Sequence, residues 1–226
     1  MPILGLVGGM SWHSSALYYR RLNEAAERRW GTGRTAESVL VTLPFADLQA
    51  AGQRGDWPAV TARIVDAARA TAAAGAAAVL LTAFTGHIAA AAVEEALDIP
   101  LLHAGDALAA ATKAGPVGLL GTAATLSAGL IEARLAAHGI TVLQPDGANA
   151  AALDAAIQGD LAAGRVTPAA EAALAAAASA LAARGARCLA LACTELPLLS
   201  TAALPLPVID GIDAHVSAAL DWLETA

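Results

Sequence analysis

The residues best suited to chemistry lie at the ends of two similar segments. One segment runs from residue 75 to 82 and the other from 185 to 195, and in each a glycine precedes a short apolar run that changes abruptly to small polar residues. Such a run predicts a fully buried strand of a parallel sheet. Sites in open parallel sheets lie just beyond the carboxyl ends of the strands. Thr82 and Cys193 occupy that position, and of the two only Cys193 carries a thiol that can be tuned for proton transfer.

The composition limits the classes of function. The chain has 226 residues, 57% of them apolar, and a formal net charge of -7 without a basic cluster, which argues against nucleic-acid binding. Charged and small polar residues interrupt every apolar run before the roughly 18 residues that a membrane span requires. The first residues carry neither a basic segment nor a cleavage pattern, and Cys188 and Cys193 are too far apart along a strand for a disulfide. These features predict a cytoplasmic protein with free thiols and no membrane association.

No cofactor or metal is expected. The histidines His13, His103 and His138 show no ligand spacing, so a metal site is not predicted. The loop that begins at Gly8 lacks the G-x-G-x-x-G pattern of dinucleotide-binding proteins.

Strands and helices alternate along the chain. The apolar and glycine pattern predicts strands at 3–7, 38–43, 76–82, 100–103, 117–122, 140–143, 188–192 and 207–210. It predicts helices up to about 29, at 57–74, at 86–97, from 104 to about 113, at 148–163 and at 168–184. Residues 45–55 are expected to form a polar, turn-rich loop.

The pattern restarts in the second half of the chain. Residues 4–9 are matched by 117–122, residues 75–82 by 185–192, and residues 100–107 by 207–214, at offsets of about 107 to 113 residues. Three matches in the same order indicate an internal duplication. We therefore predict an α/β protein of two pseudo-symmetric three-layer lobes with parallel sheets, 1–103 plus 208–226 and 104–207, with the active site in the cleft between them.

Four motifs resemble those of the aspartate/glutamate racemases, a family of cofactor-independent amino-acid racemases. Residues 8–19 read G-G-M-S-W-H-S-S-A-L-Y-Y and are similar to the family's G-G-M-S-W-E-S-T-x-x-Y-Y. Residues 192–195, A-C-T-E, are similar to G-C-T-E, and residues 121–125 match G-T-x-x-T. Asp210 and His215 fit a late D-x-x-x-x-H segment. The resemblance covers essentially the whole chain and implies a homodimer that binds a small carboxylate-bearing substrate.

The resemblance also implies two cysteines on opposite sides of the substrate, one removing the α-proton and one returning a proton. The family's first motif, C-T-N-T-x-H, reads Thr82-Ala83-Phe84-Thr85-Gly86-His87 here. An aliphatic hydroxyl is too weak an acid to form the base, so Thr82 is expected to donate a hydrogen bond or to relay a proton through water. Phe84 places an apolar ring where the family has an amide, and Ala123 replaces a frequent arginine.

The expected site follows from the strand ends and the resemblance. Its catalytic residues are Cys193 as acid/base and Thr82. Hydrogen-bond donors and walls around the substrate are expected from the loops after the strands, at Gly9, Met10, Ser11, Ser14, Phe84, Thr85, Thr122, Thr125, Thr194 and Glu195. Three further residues are expected to position the substrate-contacting side chains without touching the substrate, namely His87, Asp210 and His215. Arg54 is a loop charge that could reach a carboxylate.

Three functions remain open on the sequence. The first is a racemase or epimerase that transfers a proton at the carbon next to a carboxylate, without pyridoxal phosphate. The second is a single-cysteine decarboxylase or isomerase of the same superfamily, because one thiol can protonate one face of an enediolate. The third is a small-molecule-binding protein that has kept the fold and lost turnover.

Overall fold

The computed structural model describes residues 1–113 and 115–226 of the chain. The chain forms two compact units, each assembled around its own parallel sheet. The first comprises residues 1–104 and 215–226, and the second comprises residues 105–214. The second unit is therefore inserted in the sequence of the first.

The first unit opens with alternating strands and helices. Its elements are β1 (Ile3–Gly8), α1 (Trp12–Trp30), β2 (Ser38–Thr42), α2 (Phe45–Gln53), α3 (Trp57–Ala73), β3 (Ala76–Leu81), a 3-10 helix (Thr85–Ala89) and α4 (Ala90–Ala96). The strands pair in parallel in the order β2-β1-β3, and Leu101 adds a single parallel bridge to Val79 beyond β3. Ile64 and Ala68 of α3 pack with Val7, Val79 and Leu81 of the sheet in the apolar core.

The second unit repeats this plan. Its elements are α5 (Ala104–Ala111), which starts on the last residue of the first unit, β4 (Val117–Gly121), α6 (Ala123–Ser127), α7 (Leu130–Ala137), β5 (Val142–Leu143), α8 (Gly147–Gly159), α9 (Pro168–Ala183), β6 (Cys188–Ala192) and β7 (Val208–Asp210). The final helix, α10 (Gly211–Thr225), carries the chain back into the first unit. The sheet order is β5-β4-β6-β7, all parallel, and Leu174 and Ala177 of α9 pack with Leu189 and Leu191 of β6 in the core.

The α/β class with parallel sheets is confirmed. The order β5-β4-β6-β7 also corresponds to β2-β1-β3 followed by the bridge at Leu101, as a duplication requires. The boundary differs from the expected one, because β7 pairs with β6 and keeps residues 208–214 in the second unit.

Three local predictions differ from the structure. Residues 45–53, expected to be a loop, form α2, because Leu48 and Ala51 bury one face while the polar residues occupy the other. The strand expected at 100–103 is reduced to two backbone hydrogen bonds with Val79, since α5 begins directly afterwards. The helix expected at 86–97 is a 3-10 helix followed by α4.

Among the residues that the structure describes, no helix is both long enough and apolar enough to cross a bilayer.

Candidate functional site

Strand register places the predicted site residues at the carboxyl edge of each sheet. In the first unit Val7 pairs with Leu81, and the backbone N–H of Thr82 donates to the carbonyl of Val7 over 3.0 Å. In the second unit Gly121 pairs with Ala192, so Thr122 and Cys193 leave the sheet side by side. Each unit thus presents two neighbouring strand ends, where parallel sheets commonly hold their ligands.

Thr82 belongs to a buried hydroxyl pair with Ser15. Its Oγ1 lies 3.2 Å from the Oγ of Ser15 and donates to the carbonyl of Val7 at the same distance. The Ser15 hydroxyl accepts the N–H of Gly9 over 2.9 Å and also lies 3.1 Å from the carbonyl of Ser11. Since Thr82 is fully buried, its single hydroxyl hydrogen is used within the protein. The pair joins the end of β3 to the first turn of α1, and Ser15 extends the contact to the loop at Gly9.

Ser15 was not among the predicted site residues. The signal that could have identified it is its spacing: four residues after Ser11, it lies on the same face of α1 as the helix cap.

The loop at Gly9 can be formed only by a residue without a side chain. Gly9 has a φ of 91°, which belongs to the left-handed region, and a Cβ there would collide with the backbone carbonyl and nitrogen of Leu43. The close approach fixes the loop over the end of β2.

Ser11 caps the N-terminus of α1, and its side chain accepts the N–H of Ser14 over 3.4 Å. The hydroxyls of Ser11 and Ser14 lie 3.2 Å apart. A helix of 19 residues offers its N-terminal N–H groups and the positive end of its dipole here. The arrangement suits an anionic group such as a carboxylate.

Apolar side chains surround the rest of this strand end. Phe84 is 4% exposed and its ring stacks on that of His87, with 6.3 Å between the centroids. Met10 lies over Gly86, because a Cβ at Gly86 would be only 2.9 Å from both the sulfur and the methyl carbon of Met10. Thr85 begins the 3-10 helix and is partly exposed.

His87 is a neutral, fully engaged side chain. Its Nδ1 lies 3.1 Å from the carbonyl of Ala83 and 3.2 Å from that of Phe84, so Nδ1 carries the hydrogen. Its Nε2 then accepts the N–H of Ala104 over 3.1 Å. Burial, with the neighbouring His103 and His215, holds the pKa of His87 well below its usual value. His87 therefore ties the loop after β3 to the start of α5.

His215, like His87, connects separate segments of the first unit through hydrogen bonds at both ring nitrogens. Its Nε2 donates to the carbonyl of Leu102 over 2.6 Å, and its Nδ1 accepts the hydroxyl of Tyr18 over 3.0 Å. Burial lowers the pKa of His215 to about 4. Tyr18, which sequence reasoning did not single out, links α1 to α10 through this contact.

In the second unit, Cys193 and Thr194 share one acceptor. The thiol of Cys193 donates to Oε2 of Glu195 over 3.3 Å, and the hydroxyl of Thr194 donates to the same oxygen over 2.7 Å. Cys193 is 4% exposed, while Glu195 is partly exposed. Burial, and next the charge of Glu195, raise the pKa of the Cys193 thiol well above its usual value. The resting group is thus a thiol with a carboxylate beside it.

The neighbouring strand end forms a hydroxyl pair of its own. Thr122 caps α6 by accepting the N–H of Thr125 over 3.1 Å, and the two hydroxyls lie 2.9 Å apart. The N–H of Ala123 donates to Asp154 over 2.8 Å. Asp154 occupies the N–H that the loop would otherwise offer to a ligand, and sequence reasoning gave no signal for it.

Among the remaining residues that the sequence singled out, Asp210 has a structural partner. Asp210 caps α10 by accepting the N–H of Ile212 over 2.9 Å. Arg54 ends α2 and is exposed, and Cys188 is buried within β6. In the described parts of the chain, the side chains of His, Cys, Asp and Glu form no group of three that could hold a metal ion.

Comparison with known proteins places these features in a family. A model of the Asp/Glu/Hydantoin racemase family matches residues 7–219. The structure is similar to that of a Yersinia pestis protein described as a candidate Asp/Glu racemase, with 34% identity, a TM-score of 0.91, and coverage of 98% of this chain and 99% of the other.

Two further structures share the fold. An aspartate racemase homologue from Pyrococcus horikoshii has 23% identity and a TM-score of 0.86, with 99% and 100% of the two chains covered. Glutamate racemase from Francisella tularensis, in complex with D-glutamate, has 14% identity and a TM-score of 0.73, with 99% and 81% covered. The family match over nearly the whole chain confirms the resemblance seen in the sequence motifs: the protein belongs to the Asp/Glu/Hydantoin racemase family.

Proposed function

We propose that the protein transfers a proton at the carbon next to the carboxylate of an amino acid or a related acid, with Cys193 as the acid/base and without a cofactor. Racemisation or epimerisation is the first candidate reaction. The observation that carries the proposal is the hydrogen bond from the thiol of Cys193 to Glu195 at the end of β6. It gives the thiol that follows the carboxyl end of β6 both a proton to deliver and a neighbouring group to receive one.

The proton balance needs both groups. As the sulfur of Cys193 takes the α-hydrogen from carbon, its own hydrogen passes to the carboxylate of Glu195, and the electron pair of the broken C–H bond remains on the substrate as an enediolate. In the reverse step the thiol returns a hydrogen to carbon, and Glu195 gives its proton back to sulfur. Glu195 is then the residue that makes a high-pKa thiol usable as a base.

Neutral donors are available for the developing charge. An enediolate carries negative charge on its carboxylate oxygens, and preorganised N–H and O–H groups stabilise it most where water is excluded. In the second unit, the hydroxyls of Thr122 and Thr125 lie at the strand end next to that of Cys193 and supply such groups.

Inversion requires a second proton donor besides Cys193. By family position this role falls to Thr82, whose hydroxyl is already committed to Val7 and Ser15. A hydroxyl in this state can act only by passing on a proton from a neighbouring group. We expect such a pair to exchange the α-hydrogen on one face of the substrate faster than it inverts the configuration at Cα.

A decarboxylase is the second candidate, and the high pKa of Cys193 favours it. Loss of CO2 from a disubstituted malonate leaves the electron pair on the α-carbon as an enediolate. The thiol then donates its hydrogen to that carbon, and the thiolate regains a proton from solvent. This reaction needs only a proton donor at Cys193, which the resting thiol provides, and it needs no base.

Hydrogen exchange separates the two candidates. The protein is incubated in D2O with single enantiomers of amino acids and with disubstituted malonates, and deuterium at Cα, chirality and CO2 are followed together. Deuterium uptake without CO2 supports proton transfer, and release of CO2 supports the decarboxylase. Cys193→Ala should abolish either reaction, whereas Cys188→Ala, at the buried cysteine that begins β6, should not.

One outcome would exclude both enzyme functions. If no substrate exchanges or decarboxylates, and Cys193→Ala binds carboxylates as tightly as the wild type, both enzyme functions fail. A binding protein without turnover would then be the better description.

A further inference from the structure

Strand β2 forms an open edge of the first sheet. The N–H of Leu4 donates to the carbonyl of Glu37, and the N–H of Leu43 donates to that of Gly8, each over 2.9 Å. Because the backbone groups of a strand alternate in direction, the odd-numbered residues of β2 bond to β1 and the even-numbered residues point away from it. Within the described chain, these outward backbone groups have no hydrogen-bond partner; they belong to Ser38, Leu40 and Thr42.

This edge lacks the features that usually keep the edge of a sheet from pairing. Edge strands in natural proteins are commonly very short, or they carry a charge or a proline. Residues 38–42 read Ser-Val-Leu-Val-Thr and contain neither a charge nor a proline. The corresponding edge strand of the second sheet, β5, is only two residues long. In the first unit, β2 is therefore free to take up a further strand.

The sequence of β2 is nearly the same in both directions. About Leu40, Val39 mirrors Val41 and Ser38 mirrors Thr42. If a second copy of β2 lies antiparallel with Leu40 opposite Leu40, every outward-pointing residue faces another outward-pointing residue. These positions then form hydrogen-bonded pairs, and serine lies opposite threonine, which is a favourable cross-strand pair. The backbone directions and the side chains thus fit one two-fold arrangement.

Exposed apolar side chains are concentrated in the elements next to this edge. Trp12 and Tyr19 of α1, Leu40 of β2 and Phe45 of α2 are between 41% and 63% exposed. Among the residues that the structure describes, the aromatic side chains of this set are the exposed ones. A contiguous apolar surface of this kind commonly marks a protein interface.

The apolar residues of α1 and β2 share one centre. Leu40 lies next to Ser15 of α1, because both side chains would crowd a Cβ at Gly8. Trp12 precedes Ser15 by about one helical turn, and Tyr19 follows it by another. Antiparallel pairing of β2 keeps both copies of α1 on the same face of the joined sheet. A two-fold axis at Leu40 therefore brings Trp12 of one copy towards Tyr19 of the other.

The charges that flank β2 are complementary in this arrangement. Arg34 precedes β2 and Asp47 follows it by nearly the same number of residues, and both are exposed. Neither forms an ion pair with any residue in the described ranges. Antiparallel strands bring Arg34 of each copy to the end at which Asp47 of the other lies. Glu37 lies at the same end, so Arg34 offsets part of the negative charge there.

The exposed surface is large enough for a stable pair. Three roughly half-exposed aromatic side chains contribute on the order of 300 Å² in each copy. With Leu40 and the paired strands added from both copies, the buried area approaches the roughly 1,000 Å² that a specific interface needs.

We propose that β2 and the adjoining side of α1 form an interface for a second copy of this chain, with the two β2 strands antiparallel and Leu40 opposite Leu40. The two three-stranded sheets then join into one continuous sheet in the order β3-β1-β2-β2-β1-β3. The inference concerns assembly and does not depend on the proposed reaction.

Leu40→Lys tests the interface in solution. Two lysines would face each other at the axis, and juxtaposed like charges should raise the dissociation constant of the dimer by about 100-fold or more. Leu198→Lys is the matched control, because Leu198 is exposed to a similar extent and lies in the second unit, so this variant should dimerise like the wild type. Analytical ultracentrifugation measures the constants, and circular dichroism shows whether each variant folds. A monomeric wild type overturns the proposal, and so does a folded Leu40→Lys variant that dimerises as tightly as Leu198→Lys.

Leu40→Cys in a Cys188→Ala/Cys193→Ala background tests the register and decides the question if Leu40→Lys fails to fold. In the proposed pairing the two Cα atoms at position 40 lie about 5.5 Å apart, which is within the range of a disulfide. Mild oxidation should therefore join two chains, as seen on a non-reducing gel. Leu198→Cys in the same background is the control and should remain uncrosslinked. Failure of Leu40→Cys to crosslink, or equal crosslinking through Leu198→Cys, overturns the proposed pairing.

Discussion

The thiol of Cys193 and the carboxylate of Glu195 are joined by a 3.3 Å hydrogen bond in which sulfur is the donor. The bond runs between residues two apart, immediately after β6, so the strand end itself brings the groups together. Its direction means that the carboxylate stabilises the protonated thiol and opposes the thiolate. The resting sulfur of Cys193 therefore carries a hydrogen rather than a negative charge.

Replacing Glu195 with Gln should lower the pKa of the Cys193 thiol, because the negative charge of Glu195 is one of the causes that raise it. Burial remains, so the pKa should stay above its ordinary value. The ultraviolet absorbance of the thiolate, titrated in a Cys188→Ala background, measures the change, and Cys188→Ala/Cys193→Ala provides the blank. A thiol pKa that is unchanged or higher in Glu195→Gln would refute the electrostatic coupling.

Two substitutions of Thr82 should have different effects. Thr82→Val removes a fully buried hydroxyl that bonds to Val7 and Ser15, and should lower the free energy of unfolding by about 1–3 kcal/mol. Urea denaturation measures this loss.

Thr82→Cys supplies the family's second thiol and should increase the rate of inversion relative to the rate of Cα exchange. The ratio is measured in D2O by chirality and mass on the same samples. A Thr82→Ser variant is the control, since it keeps a hydroxyl and adds no thiol. An unaltered ratio in Thr82→Cys would show that the strand end has diverged by more than this one residue.

Acid should destabilise the protein through its buried histidines. The ordinary histidine pKa of 6.5 applies to the unfolded chain, and burial lowers the pKa of folded His215 to about 4. The unfolded state therefore binds the proton more tightly, and stability is complete above pH 6.5 and falls as the pH drops towards 4. The difference between these two pKa values corresponds to about 3 kcal/mol in the free energy of unfolding for His215 alone.

Urea denaturation between pH 7.5 and 4.5 tests this expectation. His215→Gln should flatten the dependence by about one proton, because glutamine does not titrate. His13→Gln, at an exposed histidine, serves as the control and should leave the slope as in the wild type. An identical slope in His215→Gln would contradict the buried neutral state.

Gly9→Ala should be much more destabilising than Gly33→Ala. Both glycines have a positive φ, 91° and 77°, so alanine is strained at each by about 1–2 kcal/mol. Nothing lies within 4 Å of a Cβ at Gly33, whereas at Gly9 the backbone of Leu43 must move. We expect a loss of about 3 kcal/mol or more for Gly9→Ala in thermal or urea unfolding. Equal losses would show that the contact with Leu43 relaxes freely.

Much of the fold could be predicted because its signals are local. Strand β6 was predicted at its observed bounds, Cys188–Ala192, since a buried parallel strand is an apolar run that ends at polar residues. Helix α2 was missed because only Leu48 and Ala51 mark its buried face.

The site was less accessible to sequence reasoning. The positions of Thr82 and Cys193 at strand ends followed from the sequence, and their roles in catalysis remain predictions. The partners of Thr82 and His87 could not be predicted, because they depend on register and on chain segments far away in sequence. Ser15 contacts Thr82 across 67 residues, and the tautomer of His87 depends on Ala104, 17 residues later.

The nested order of the two units has a consequence for biosynthesis. Tyr18 in α1 and His215 in α10 are joined across 197 residues, with all of residues 105–214 between them. On the ribosome residues 105–214 are synthesised before the part of α10 that belongs to the first unit, so Tyr18 lacks its partner His215 until then. Folding of the second unit can therefore precede completion of the first, although residues 1–104 are translated earlier.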